Sequence, residues 1–340
     1  MPPFYLKIGY VRTELLWRFS NNAVRRWQEV AVRQRGHCRG VLVLVRPDVQ
    51  ALRLPAGRAW LDRRRRIDFG LLALYLTLIA LGVVIVIPIA YMVSQAFTPE
   101  QDTKVWPIQY IPTHPTLNNF VRVLNDPTLP VLRWFLNSMF ASLSITALVL
   151  LLSSLSAYAC TRLELLVRDV IFFVLLTSLM VPGAVTLIPV FLLLRNLNFL
   201  DTPNALIWPA GAGVGGIFLL RQHFQSIPKE LEEAAVVDGA NRFRVYWQIC
   251  LPLVKGTLIA LGIFTFLGSW NDLFWPLIVL SDRNHLTLPA GLAVLGQGNY
   301  VQRGITMAAA VIASIPPLIL YIIFQRQIVA GISTTGLAGR

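Results

Sequence analysis

Polar side chains that could bind another protein are concentrated in one segment, residues 225–252, which lies between long apolar stretches. Ser226 is a favourable helix N-cap, and Pro228 suits the first turn of a helix. Three carboxylates follow, and they would be stabilised near the positive end of a helix dipole. They belong to Glu230, Glu232 and Glu233. These residue types favour a charged, helical contact surface.

The spacing of the smaller residues predicts that this segment is a helix–turn–helix. One helix runs to about Val237, and Gly239 then suits the C′ position that ends it. Asn241 can cap a second helix that runs through Gln248, and Pro252 begins the turn into the next apolar stretch. The residues that recur at helical spacing in the first helix are Leu231, Ala234, Ala235 and Asp238. Small residues at the corner would let the surface of another protein approach closely.

Four further polar residues fall inside apolar stretches, where they are candidates for a translocation path. Asn271 and Asp272 lie in one stretch, and an ionisable side chain at membrane depth is costly unless it has a function. Asn137 and Ser138 lie in another, with two further serines on the same side of the predicted helix. An interhelical hydrogen bond that only fixes packing explains each of them equally well.

The elements that must position these residues are long apolar helices. The 340 residues are 55% hydrophobic and only 14% charged, with a mean hydropathy of +0.61. An average soluble chain carries roughly 25% charged residues, so this composition excludes a soluble enzyme, a secreted disulfide scaffold and a disordered regulator. Lipid cannot satisfy open sheet edges, so the apolar stretches predict an all-α polytopic membrane protein.

Six stretches are long enough to cross a bilayer. They are Ile67–Ala96, Trp134–Cys160, Val170–Leu194, Pro203–Leu220, Thr257–Leu280 and Gly304–Phe324. Pro182 and Gly183 should break or kink the third stretch. The fourth is short and rich in glycine, which suits close helix packing. Its glycines are Gly211, Gly213, Gly215 and Gly216.

The distribution of Lys and Arg predicts that both termini are cytoplasmic. With the N-terminus inside, 24 Lys/Arg lie on the cytoplasmic side and 6 on the other, in agreement with the positive-inside rule. Arg162 and Arg168 are counted among the inside charges that follow the second stretch. The three cysteines, Cys38, Cys160 and Cys250, all fall on the reducing side, and no metal-binding spacing is present.

Residues 1–66 form a basic cytoplasmic extension with 15 Lys/Arg against 4 Asp/Glu, whereas the remaining 274 residues are nearly neutral. A segment lying on the membrane surface, a disordered tail and an upstream extension from a misassigned start codon all explain this composition. A nucleic-acid-binding membrane anchor is a further class, but it rests on this segment alone, and we expect no nucleic-acid partner. The six stretches fall in a second region, residues 67–340.

The polar segment resembles the EAA loop of ABC importer permeases, and its flanks resemble the maltose-type carbohydrate permeases. The fixed positions of the EAA pattern are occupied at the right spacing by Glu233, Ala234, Ala235, Gly239, Ile249, Leu251 and Pro252, with Asp238 before the glycine. The flanking similarities are Trp134–Ser138, Pro182–Pro189, Ser269–Asp272, Trp275–Pro276 and Gln325–Gly331. The resemblance covers roughly Asp68–Arg340.

The resemblance implies a type I importer permease fold in the cell inner membrane, with six transmembrane helices and a coupling loop at about residues 223–255. It implies a second permease, most simply a different chain, two ABC ATPase subunits that contact the EAA residues, and an extracytoplasmic binding protein that delivers a sugar or oligosaccharide. Membrane lipid would surround the helices. The same machine could carry another solute, such as glycerol phosphate or a polyamine, and an ion-coupled secondary transporter is the alternative from another class.

This chain itself is expected to be non-catalytic and to bind no cofactor or metal. It contains no G-x-x-x-x-G-K-[ST] sequence, so it lacks the usual loop that cradles the phosphates of ATP. Its four histidines are scattered over different segments, and no nucleophile–base pair or metal cluster follows from them. ATP and Mg would therefore be used by the partner ATPase subunits.

Overall fold

The computed structural model describes residues 69–104, 110–163, 167–211, 213–296 and 302–337, with side chains as far as residue 327. The basic segment 1–66, for which three interpretations were open, lies outside the described residues. Among the described residues every regular element is helical. The helices are α1 (Phe69–Ala96), α2 (Asn118–Asn125), α3 (Val131–Arg162), α4 (Arg168–Ser178), α5 (Gly183–Asn196), α6 (Asn204–Ala210), α7 (Val214–Gln225), α8 (Lys229–Val237), α9 (Arg242–Val245), α10 (Leu251–Leu253), α11 (Lys255–Trp270), α12 (Phe274–Val279), α13 (Leu288–Gly296) and α14 (Arg303–Leu337).

Three helices are long and apolar enough to cross a membrane, and the number rises to five if each of two bent pairs is one span. The three are Phe69–Ala96, Val131–Arg162 and the Arg303–Gln327 part of α14. Large apolar side chains remain exposed along them, as in α1, where none of the most apolar window is buried. Such a surface is compatible with lipid and not with water. The helical, multi-pass character predicted from the composition is therefore confirmed.

The predicted break in the third stretch is confirmed and is larger than a kink. Between Ser178 and Gly183 the axes of α4 and α5 differ by 100°, and Pro182 occupies the N-cap of α5 in an extended conformation. Proline lacks the N–H that would continue the helix, and its ring disfavours the helical conformation in the residue before it.

The fourth and fifth stretches, expected as single helices, are also interrupted. The fourth consists of α6 and α7, which are separated near Gly211 and Gly213. The fifth consists of α11 and α12, with Asn271 forming the C-cap of α11. Asp272, expected inside a membrane helix, instead lies in the break and accepts a 3.3 Å hydrogen bond from the backbone N–H of Trp275 through its Oδ1. A carboxylate at the start of α12 satisfies an N–H that has no partner within the helix.

Helix α3 is the centre of the described fold and packs against both α7 and α11. Two of the four glycines predicted to allow close packing do so. A Cβ on Gly211 would lie 2.9 Å from Leu148 Cδ2, and one on Gly216 would lie 2.6 Å from Ser153 Oγ. Gly216 therefore allows α7 to approach α3 closely, and Gly211 does the same for the end of α6. Gly215, in contrast, has open space where its Cβ would be.

Candidate functional site

The helix–turn–helix predicted for residues 225–252 is present. Helix α8 ends at Val237, and Gly239 follows with φ +84°, a conformation that favours glycine. The N–H of Gly239 donates to Val236 O and that of Ala240 to Ala235 O. These two bonds form a Schellman motif, which satisfies carbonyls at the helix end. The predicted role of Gly239 in ending the helix is confirmed.

The prediction that Ser226 caps this helix is wrong. Ser226 is the C-cap of the preceding α7, and its Oγ donates to His223 O at 2.8 Å. Pro228 is the N-cap of α8 instead, in an extended conformation. The reason is that α7 extends to Gln225, so Ser226 lies in the last turn of α7, where both its N–H and its hydroxyl donate to the carbonyl of His223.

Asn241 caps the second helix as predicted, because its side-chain oxygen accepts from the N–H of Arg244 at 2.8 Å. The helix then continues beyond Gln248, where it was expected to stop, through a π-helical turn at Tyr246–Cys250 and the short α10. Pro252 lies within α10, and the chain turns only at Val254. The bend from there into α11 is 76°.

One side of this helix–turn–helix, which we call the coupling segment (residues 227–254), is open. Glu233, Ala234, Asp238 and Gly239 are exposed. Val237, Phe243 and Trp247 are exposed by 87%, 68% and 58%. A surface that mixes carboxylates with large exposed apolar side chains is typical of a protein interface.

The other side of the coupling segment is packed against α3 and α7. Ala235 and Leu251 contact a buried cluster that contains Tyr158, Phe224 and Tyr246. The hydroxyl groups of Tyr246 and Ser154 lie 2.8 Å apart in a buried hydrogen bond. Of the EAA residues, Glu233, Gly239 and Pro252 thus belong to the exposed side, while Ala235, Ile249 and Leu251 are at least partly buried.

A buried ion pair, which the sequence reasoning missed, lies at this contact. Arg162 Nε is 2.8 Å from Glu232 Oε1, and the two side chains are only 5% and 7% exposed. Arg162 Nη2 also donates to the carbonyl oxygens of Phe224 and Ile227, at 2.6 Å each. We call this arrangement the charged joint: Arg162, Glu232 and the two carbonyls. It connects the end of α3, the end of α7 and the helix α8.

A second feature is a cavity of about 880 Å³ beside α3. Ser138 and Asp272, two of the four residues predicted for a translocation path, are among its lining residues. Its polar lining also includes Ser142, Thr186, Thr265, Ser269 and Thr287, and its aromatic lining is Phe274 and Trp275. Asp272 is the only ionisable residue among the described residues that line it.

Asn137 and Ser138 also hold the segment that follows α12. Asn137 Nδ2 donates to the carbonyls of Asn284 and Leu286, at 2.8 and 3.0 Å. Ser138 Oγ accepts the N–H of Leu288 at 2.8 Å. Asn137 and Asn271 are not among the lining residues of the cavity. The packing alternative fits the two hydrogen bonds of Asn137, whereas Asn271 is an exposed residue at the end of α11.

His285, treated as isolated in the sequence, lies beside two carboxylates. Its Nδ1 is 3.3 Å from Asp201 Oδ2, and the ligand atoms of Asp201, Asp282 and His285 lie within 4.8 Å of one another. Asp201 Oδ1 already accepts the N–H groups of Ser281 and Asp282, at 2.9 Å each. Hydrogen bonds between these two segments of the chain therefore account for the position of the Asp201 carboxylate.

The pKa of Asp201 reflects the same contacts. Partial burial acts to raise it, but the N–H groups of Asp282 and Ser281 and the His285 side chain outweigh that effect. The pKa of Asp201 therefore lies below its ordinary value, because hydrogen bonds to a carboxylate favour its charged form. The carboxylate of Asp201 connects the start of α6 to the segment after α12.

The interrupted apolar helices and the cavity beside α3 are typical of a membrane transport subunit. Residues 150–334 match the family described as binding-protein-dependent transport system inner membrane component. The chain belongs to this family. It is therefore a permease subunit of an ABC importer, and the resemblance seen in the sequence is confirmed.

Named relatives are consistent with this membership. The chain is 34% identical to the arabinooligosaccharides transport system permease protein AraQ of Halalkalibacterium halodurans, over 75% of this chain and 91% of that protein. It is 30% identical to the diacetylchitobiose uptake system permease protein NgcG of Streptomyces coelicolor, over 75% and 85%. It is also 32% identical to the sn-glycerol-3-phosphate transport system permease protein UgpE of Escherichia coli, over 75% and 94%.

A solved structure shows the same fold. A bacterial ABC transporter involved in the import of the acidic polysaccharide alginate contains a chain that matches with a TM-score of 0.67 and 24% identity. The match covers 78% of this chain and 98% of that chain. The chain therefore shares its overall fold with a chain of this transporter.

Proposed function

We propose that this permease imports a neutral sugar or oligosaccharide, and that its cavity beside α3 forms one half of the path. The observation that carries the proposal is the chemistry of the lining: hydroxyl groups, one carboxylate and two aromatic rings. Hydroxyl and carboxylate groups can exchange hydrogen bonds with sugar hydroxyls, and aromatic faces pack against the apolar face of a pyranose. Relatives named for arabinooligosaccharides and diacetylchitobiose support the same class of solute.

Glycerol phosphate is the second candidate, because UgpE is among the relatives. A phosphate group is bound most strongly by Arg, Lys or clustered backbone N–H groups. The described lining of the cavity contains a carboxylate and no cationic side chain. This electrostatic difference favours the neutral solute.

The coupling segment is, in this proposal, the contact for an ABC ATPase subunit. Its exposed side presents Glu233, Asp238 and Gly239 together with the apolar Val237. Its buried side rests on α3 and α7, both of which contribute residues to the cavity. ATP with Mg would be used by two such subunits, a second and different permease would complete the path, and an extracytoplasmic binding protein would deliver the solute.

The proposed membrane arrangement has six spans with both termini in the cytoplasm. The spans are α1, α3, the broken pair α4 and α5, the broken pair α6 and α7, the broken pair α11 and α12, and α14. Broken helices at membrane depth are tolerated where their free backbone groups face protein or a cavity. The residues next to each break line the cavity, and they include Gly183, Gly213 and Asp272.

A pull-down from mild detergent tests the partners. The native chain and Gly239→Asp are compared by mass spectrometry of the proteins that co-purify. We expect an ABC ATPase and a second permease with the native chain, and loss of the ATPase alone with Gly239→Asp. The φ of +84° is strained for aspartate, and a new carboxylate would enter the contact surface. Absence of any ATPase from the native sample would contradict the proposal and favour an ion-coupled transporter.

Uptake into proteoliposomes containing the purified complex and its binding protein tests the solute. We expect transport of a neutral oligosaccharide that glycerol 3-phosphate does not inhibit. Asp272→Asn should lower the transport rate while ATPase association stays intact, because the change lies in the cavity and not in the coupling segment. Uptake of glycerol 3-phosphate, with no oligosaccharide uptake, would favour the second candidate.

A further inference from the structure

The charged joint is a costly arrangement for a structural contact. Both side chains are almost fully buried, at 5% and 7% exposure. Removing two charges from water carries a penalty that their attraction does not always repay, and apolar residues of similar size often stabilise a protein as well or better. Where a buried ion pair remains, fixing one geometry is among the best-attested reasons.

The geometry of Arg162 is suited to fixing one arrangement of the helices around it. The guanidinium is a rigid plane, and its N–H groups point in fixed directions. One nitrogen faces Glu232 on α8, and another donates to the carbonyls of Phe224 and Ile227 where α7 ends. An apolar contact can slide, whereas the ion pair with Glu232 and the two hydrogen bonds to the carbonyls are all kept in only one arrangement of α3, α7 and α8.

The position of Glu232 on α8 connects the charged joint to the exposed side of the coupling segment. Glu232 is buried against α3, whereas the next residue, Glu233, is exposed on the side proposed for the ATPase. A displacement of α8 by a partner would therefore act directly on Glu232. The nearby cluster adds two neutral hydrogen bonds between α3 and the coupling segment, Tyr246 to Ser154 and the Tyr158 hydroxyl to Arg242 O.

We propose that Arg162 and Glu232 are positioning residues that transmit the movement of α8 to the ends of α3 and α7. The inference rests on the proposed contact between the coupling segment and an ATPase subunit. Without the charged joint, the coupling segment still binds the ATPase through its exposed side, but its movement is absorbed by sliding of the apolar cluster. ATP is then hydrolysed with little transport.

The test compares Glu232→Gln with Glu230→Gln in the full complex reconstituted with its binding protein. Both changes remove one carboxylate from α8, but Glu230 is exposed and Glu232 is buried. Two quantities are measured: the ATPase retained per permease, and the solute transported per ATP hydrolysed. We expect both variants to retain the ATPase. We expect the transport ratio to fall about tenfold in Glu232→Gln alone, because the neutral amide cannot form the ion pair with Arg162.

A second variant separates coupling from folding. Arg162→Met combined with Glu232→Met leaves no unpaired charge, so assembly should be restored if Glu232→Gln assembles poorly. The transport ratio should stay low, since methionine cannot bind the carbonyls of Phe224 and Ile227. A ratio equal to that of the native complex in either variant overturns the inference, as does failure of both variants to assemble. A native complex without ATP-dependent transport would instead contradict the proposed function itself.

Discussion

At its first turns α3 holds its neighbour through neutral groups, whereas at its last residue it does so through a buried charge. Trp134 Nε1 donates to Arg283 O at 2.6 Å, and Asn137 donates to two further carbonyls of the same segment. Arg162 meets a carboxylate and two carbonyls at the other end. The partners at the first end are backbone groups, and one partner at the last end is a specific side chain.

This difference predicts that the two ends of α3 tolerate amino-acid substitutions in their partners to different degrees. Residues 283–288 offer backbone carbonyls and N–H groups whatever their side chains are, so their sequence can vary while the contact remains. The charged joint depends on the identities of Arg162 and Glu232, and loss of one leaves the other charge buried without compensation. We expect the charged joint to be the more sensitive end of α3.

The largest effect is expected from Arg162→Met alone. An uncompensated carboxylate would remain at Glu232, and the loss in free energy of unfolding should be about 3–5 kcal/mol. Adding Glu232→Met should recover most of this loss. Thermal unfolding of the complex in detergent measures both. Equal stability of the single and double variants would show that the ion pair is not the sensitive feature.

At the first end of α3, Gly291→Ala should be the most damaging change. A Cβ on Gly291 would lie 2.2 Å from Trp134 Cε3, so α13 or the indole ring must move. Overpacking of this kind costs about 1–3 kcal/mol. Gly82→Ala in α1 is the control, because its Cβ would meet nothing within 4 Å. If the two variants unfold at the same temperature, the close contact at Trp134 is relieved without cost.

Asn137→Leu should have a smaller and local effect. It removes hydrogen bonds to the carbonyls of Asn284 and Leu286, with an expected loss of about 1–2 kcal/mol. Hydrogen exchange should become faster in residues 283–288 and stay unchanged around Glu232. Asn118→Leu, at an exposed asparagine of α2, should change neither region. Faster exchange at the coupling segment would mean that the two ends of α3 are not independent.

The smallest effect is expected when the carboxylate of Asp201 is protonated at acid pH. Its pKa is lowered in the folded protein, so its contribution is present above the unfolded value of about 3.9 and is lost as the pH falls through the folded value. Exchange protection at Ser281 and Asp282, corrected for the intrinsic rate, should be constant from pH 8 to 5 and fall only when the pH is below the ordinary Asp value of about 3.9. Asp201→Asn should remove this dependence. Loss of protection already between pH 7 and 5 would point to a group other than Asp201.

Local features of the coupling segment could be predicted because they depend on neighbouring residues. Gly239 ends α8 with a positive φ, and Asn241 caps the following helix, both as the sequence indicated. Ser226 was assigned to the wrong helix, because its role depends on where α7 ends. A cap is decided by which unsatisfied backbone group lies nearest, and the sequence alone does not give that distance.

The apolar composition by itself determined that this is a helical membrane protein, and the residues of the EAA pattern and its flanks carried the resemblance to ABC importer permeases. Only the tertiary structure gave Arg162 and Glu232 their partners. In the sequence, Arg162 counts as one of many cytoplasmic cations and Glu232 as one of three carboxylates near a helix start. Burial makes the two side chains depend on each other, because a charge is tolerated away from water only when a distant part of the chain supplies its partner.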